Sequence, residues 1–109
     1  MTKKTFNKLV RDRIPEIIEG RGGVVSTRIL GDAEYLTELN KKLQEEVTEY
    51  LQAQNHETRI EELADLLAVI ETILGVCGET FVAVEKVKVE KEIKRGSFSK
   101  RIFLETVEE

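Results

Sequence analysis

Residues 43–67 read LQEEVTEYLQAQNHETRIEELADLL, and the reading of this stretch decides the fold. Two apolar patterns that step by three and four flank a short polar break, which predicts two successive helices joined by a turn. Glu45, Glu46 and Glu49 fall on the first helix, Glu62 and Asp65 on the second. Residues three or four apart on a helix share a face, with Cβ atoms about 5–6 Å apart. Glu46 and Glu49 should therefore project together, and so should Glu62 and Asp65. If the helices pack antiparallel, four carboxylates converge. Like charges at that spacing destabilise a helix by about 0.2–0.5 kcal/mol per pair, and a cation between them reverses the sign. Ligands that are all carboxylates suit a hard ion, Mg2+ or alternatively Mn2+.

The helix before the turn is expected over about 33–54, with Asp32 as its N-cap. Its seam is Leu36, Leu39, Leu43, Val47 and Tyr50, and Glu46 borders that seam. Lys41 and Lys42 precede Glu45 and Glu46 by four, so plain surface ion pairs are the competing reading, although Lys-before-Glu is the weaker order. The next helix is expected to start at Thr58, where TRIE has the form of a capping box. Ile60, Leu63, Leu67, Ile70 and Leu74 make one seam; Leu66, Val69, Ile73 and Cys77 make another beside it. Together they span too wide an arc for one small partner, which marks a helix that is central or shared between subunits. Glu62 falls inside that arc and Asp65 at its edge. A carboxylate there is costly unless it is paired or binds a metal. Glu61 and Glu71 face the other way.

Outward from this centre, TFNKLVRDRI (5–14) mixes apolar and basic residues, and Pro15 fits the first turn of a short helix, PEIIEG. Val24–Leu30 (VVSTRIL) is rich in β-branched residues and reads as extended. Gly75 and Gly78 mark the end of the third helix. A fourth is expected over 80–94, with Phe81, Val84, Val87 and Val89 inside and Gly96 as its stop. The tail, SFSKRIFLETVEE, is open to two readings: a strand pairing with Val24–Leu30, or a segment lying along the bundle. His56 reads as a solvent residue of the turn, and Cys77 as a buried apolar residue rather than a nucleophile.

At 109 residues, 35% of them charged, the chain reads as one helix-rich domain spanning 1–109. A helical chain this short buries a modest core alone, which points to pairing with another copy. One cysteine excludes an intrachain disulfide and a Cys-based zinc site. With no apolar run near membrane-spanning length and no signal-peptide pattern, a cytoplasmic, membrane-free protein is expected. Residues 1–28 hold seven Lys/Arg against three Asp/Glu, residues 29–79 three against twelve, and residues 80–109 seven against six. The acidic centre argues against non-specific nucleic-acid binding there. Basic ends around it suit a centre that holds metal and ends that hold phosphate.

Glu45-Glu46-x-x-Glu49, twelve residues, then Glu62-x-x-Asp65 resembles the EExxE…ExxD signature of the all-α nucleoside triphosphate pyrophosphatases. That superfamily includes MazG, the dimeric dUTPases and phosphoribosyl-ATP pyrophosphatase. Lys8-Leu9-Val10-Arg11-Asp12-Arg13-Ile14-Pro15 and Arg95-Gly96-Ser97-Phe98…Arg101 extend the resemblance to the small stand-alone MazG-like proteins, over nearly the whole chain. It implies an all-α bundle whose four-helix core is completed by dimerisation, as a homodimer or a dimer-based higher oligomer, and leaves room for a short β-ribbon from the two end segments. It also implies Mg2+-dependent hydrolysis of a (d)NTP, in particular a non-standard one, to (d)NMP and pyrophosphate, a house-cleaning reaction. By carry-over Glu46, Glu49, Glu62 and Asp65 hold the metal and Glu45 is the general base. MazG itself has a KFxxRF segment whose Lys and Arg contact phosphates. Here Arg101 matches the Arg, but Ser97 stands in place of the Lys, leaving Arg95, Lys94, Lys91 and Arg11 as candidate substitutes. Phosphoribosyl-ATP is the alternative substrate, and a non-catalytic helical dimerisation or binding module is the alternative of another class.

Overall fold

The computed structural model describes residues 2–109 and is all-α: α1 (Ile14–Gly20), α2 (Asp32–Gln52), α3 (His56–Val76) and α4 (Phe81–Arg95). The chain divides into two compact units, one reaching as far as Gly78 and one from Glu79 to Glu109. Among the described residues no helix is long and apolar enough to cross a membrane.

In the first unit α2 and α3 pack on each other. Only Ala53, Gln54 and Asn55 separate them, so α3 returns antiparallel along α2. Among the described residues Leu39 and Val69 are the buried apolar ones, supported by half-buried Leu36, Leu43 and Tyr50 on α2 and Leu66, Ile70, Ile73 and Leu74 on α3. One side of the expected α3 arc is thus used. Ile60, Leu63 and Leu67 remain exposed, with Val47 and Leu51 of α2.

Several boundaries differ from expectation for local reasons. Asp32 is the first residue of α2 rather than its cap; Gly31 takes the cap position, without a side-chain bond. The cap of α3 is Asn55, whose side-chain oxygen accepts from the Thr58 backbone N–H at 2.8 Å. Thr58 is therefore the third helical residue, and His56 the first, because Asn is as good a cap as any and lies upstream. Cys77 is exposed, not buried, because it caps the end of α3 just before Gly78 turns the chain at φ 73°.

No β-ribbon forms: among the described residues there is no strand. Val24–Leu30 has the residues of a strand but no ladder partner. It is held instead by a side chain, Arg28, which grips Glu34 in the first turn of α2 through two bonds, at 2.8 and 2.5 Å. The residues after α4 are likewise without regular structure.

In the second unit α4 begins at the expected place. Thr80 caps it, its hydroxyl accepting from Ala83 N–H at 3.2 Å, and Gly96 ends it at φ 83°, a conformation glycine adopts without strain. Phe81, Val84, Val87 and Val89 were expected inside, but all four are exposed. The apolar pattern of α4 is real, yet nothing in its own unit covers it.

Candidate functional site

Among the described residues the most buried charged side chain is a carboxylate. Glu46 is 4% exposed, on the α2 face that meets α3. Around it stand two overlapping groups. Ligand atoms of Glu45, Glu46 and Glu49 lie within 4.8 Å of one another, and so do those of Glu46, Glu62 and Asp65. One turn of α2 supplies three carboxylates and one turn of α3 supplies two. The antiparallel hairpin brings them together with Glu46 common to both groups.

The outer carboxylates have partners. Lys8 Nζ lies 3.4 Å from Glu45 Oε1, and Arg11 Nη2 donates to Asp65 Oδ1 at 2.7 Å. Lys42 Nζ lies 3.5 Å from both Glu45 and Glu46. Lys41 turns away to Glu38. The expected i,i+4 pairing therefore forms at Lys42, and it satisfies one oxygen of Glu46. The inner oxygens are different. Glu46 Oε2 and Glu62 Oε2 are buried and have no hydrogen-bond partner. A buried acceptor left unpaired costs about 1–3 kcal/mol.

Acceptors that face acceptors hold protons. Glu62 is pushed up from 4.5 to about 7, first by the Glu49 carboxylate placed where only a protonated Glu62 could donate to it, then by loss of water, then by the nearby charges of Glu49 and Glu46. Glu46 is also raised, first by burial and then by Glu49, with Lys42 opposing. Carboxyls whose ionisation is opposed by their neighbours and by burial gain from a cation placed among them.

The donor set fits such an ion. All five groups are carboxylates, the chemistry of Mg2+ and Mn2+ rather than of zinc or copper. Within each of the two groups the ligand atoms already lie close enough together to face a common ion. Glu46, Glu49, Glu62 and Asp65 could hold the ion, with Glu45 on the rim beside Lys8.

The basic candidates divide. Arg11 stands on the acidic site, as the partner of Asp65. Lys91, Lys94, Arg95 and Arg101 belong to the second unit, the first three on α4 and Arg101 after it, and all are exposed. Lys91, Arg95, Ser97 and Phe98 line an open groove there with Val84 and Val87. Lys8 was not singled out as a site residue from sequence. Its signals there were the positive balance of residues 1–28 and its place at the head of the stretch Lys8-Leu9-Val10-Arg11-Asp12-Arg13-Ile14-Pro15.

No family model matches the chain, and no solved structure matches it. Over 54 residues it is 44% identical to a protein of Mycolicibacterium smegmatis described as uncharacterized. The match covers 50% of this chain and 55% of that protein, so the chain spans about half the length of the curated relative it matches.

Proposed function

We propose that the chain is a Mg2+-dependent nucleotide pyrophosphohydrolase of the MazG-like kind, converting a (d)NTP, in particular a non-standard one, to (d)NMP and pyrophosphate. The observation that carries this reading is the pair of buried, unpartnered oxygens on Glu46 and Glu62 at the centre of five carboxylates. A fold tolerates such a pair when a ligand completes it. Mg2+, when bound, supplies charge neutralisation at the phosphates and polarises water. Glu46, Glu49, Glu62 and Asp65 would hold it. Glu45 takes the proton of the water that attacks phosphorus, while the bridging oxygen leaves with pyrophosphate.

A second copy of the chain completes the helical core. The exposed Val47, Leu51, Ile60, Leu63 and Leu67 on α2 and α3 support this. Sedimentation should give a homodimer or a dimer-based higher oligomer, and a monomer at micromolar concentration would overturn it. A cytoplasmic location is part of this reading.

The test of the activity is pyrophosphate release with Mg2+ across standard and modified (d)NTPs and phosphoribosyl-ATP, with Glu62→Gln alongside. Wild type should release pyrophosphate. The variant should lose about 100-fold or more, since even outer partners of a metal ligand are worth 10–100-fold. Release from phosphoribosyl-ATP alone would replace house-cleaning by that substrate. The pairing of Lys8, Lys42 and Arg11 with Glu45, Glu46 and Asp65 favours one other reading, a helical dimerisation module whose carboxylates are already satisfied by cations. Silence from both proteins, with folding and association intact, would select it.

A further inference from the structure

Two cations reach the acidic site from one short segment. Lys8 and Arg11 are three residues apart, yet Lys8 pairs with Glu45 on α2 and Arg11 with Asp65 on α3, across 37 and 54 residues of sequence. The segment thus straddles both halves of the carboxylate cluster. Its path is set locally. Asn7 turns the chain at φ 45°, which Asn tolerates better than most residues, just before Lys8. Leu9 is half-buried, and the Arg11 carbonyl accepts from Ile14 N–H at 3.1 Å where α1 begins.

The three cations of the site differ in commitment. The Lys42 side chain is 22% exposed and touches two carboxylates. Those of Lys8 and Arg11 are 44% and 64% exposed and touch one each. Arg11 uses a single Nη of a guanidinium that carries five N–H donors. Exposed ion pairs of this kind contribute little to stability, so they exchange readily. A divalent ion among the carboxylates would weaken both pairs further by supplying the positive charge they now provide.

We propose that Lys8 and Arg11 form a polyphosphate clamp. In the metal-free site they neutralise Glu45 and Asp65. When a metal-chelated polyphosphate enters, they transfer to its phosphate oxygens, Arg11 as a planar fork and Lys8 as a point charge. The clamp rests on the metal-site reading of the carboxylates but not on any reaction there. It assigns phosphate recognition to the segment before α1.

The experiment uses the whole chain and two probes, Mn2+ alone and the Mn2+ complex of inorganic tripolyphosphate, each followed by calorimetry and by the Mn2+ resonance signal. Lys8→Gln, Arg11→Gln and the double variant should bind Mn2+ as tightly as wild type or tighter, because two competing cations are gone. Each single change should weaken tripolyphosphate binding by about tenfold or more, and Arg11→Lys should recover part of the loss. Unchanged tripolyphosphate binding in the double variant, with Mn2+ still bound, overturns the clamp and leaves the metal site standing. A parallel fall in Mn2+ affinity also overturns it, since that is what a segment that merely positions the carboxylates would produce. A wild-type protein that binds no Mn2+ overturns both the clamp and the metal-site reading.

Discussion

The α2–α3 hairpin and helix α4 hold similar shares of apolar residues, α4 being the more highly charged, but they use them differently. The hairpin buries Leu39, Val69 and Glu46, so its tightest packing encloses a carboxylate. No residue of α4 is buried, and only Ala83 is half-buried. What supports α4 is local: the Thr80 cap, the Lys88–Glu92 pair at 2.8 Å, and Lys94 and Arg95 in the last turn, where the helix dipole favours cations. The comparison separates two uses of a helix. In α4 the sequence favours only helix formation. In the hairpin, packing holds together groups that repel each other, which is an expensive arrangement unless it serves a ligand.

The sharpest way to break that comparison is to remove the cost. Glu46→Leu replaces a buried, half-satisfied carboxylate by an apolar side chain and leaves Lys42 with Glu45. The metal-free variant should be more stable by about 1–3 kcal/mol, read as a rise in Tm of about 4–8 °C per kcal/mol. A lower Tm would show that Glu46 is structural. The pH dependence follows from Glu62, which titrates near 7 in the fold against 4.5 ordinarily. Between those values the folded state binds more protons than the unfolded one, so stability falls as pH rises. The contribution is complete below about 4.5 and lost as pH passes about 7. Glu46, raised as well, works in the same direction. Thermal melts of wild type should therefore decline from about pH 5 to about pH 8, and Mg2+ should restore Tm most at the higher pH, where it replaces the lost protons. In Glu46→Leu the decline should be shallower and the Mg2+ effect gone. A wild-type Tm that is flat in pH, or indifferent to Mg2+ at about pH 8, would put the hairpin on the same footing as α4.

Much of this difference could be read in the sequence, and the failures have physical causes. The three- and four-residue steps located α2 and α3, and the ExxE and ExxD spacings put their carboxylates on facing turns, because periodicity and a short loop together fix which sides meet. Partners distant in sequence were not legible. Lys8 reaches Glu45 across 37 residues, and neither the regional excess of positive charge nor the stretch that Lys8 heads named that partner. Burial on α4 was overestimated because an apolar stripe states that a helix can be covered, not that its own unit covers it. Cys77 failed in the same way, since a residue on a seam is exposed once the helix ends at it. Val24–Leu30 shows that β-branched residues make a strand only when a ladder partner exists; here an Arg28–Glu34 ion pair holds the segment instead.

The smallest effects lie in the caps, which also compare the two regions. Asn55 caps α3 with a bond of 2.8 Å, and Thr80 caps α4 with one of 3.2 Å. Asn is the stronger cap residue, and replacing either kind by Ala typically costs about 1 kcal/mol. Asn55→Ala should lower global stability by about that amount, because fraying of α3 from its start loosens the hairpin that confines Glu46 and Glu62. Thr80→Ala should leave the global melt almost unchanged, because no residue of α4 is buried, and should show instead as faster amide exchange at Ala83 and Val84. If Thr80→Ala lowered the global melt as much as Asn55→Ala, the unfolding of α4 would be coupled to that of the hairpin, and its exposed apolar residues would have a structural role that local helix stability does not explain.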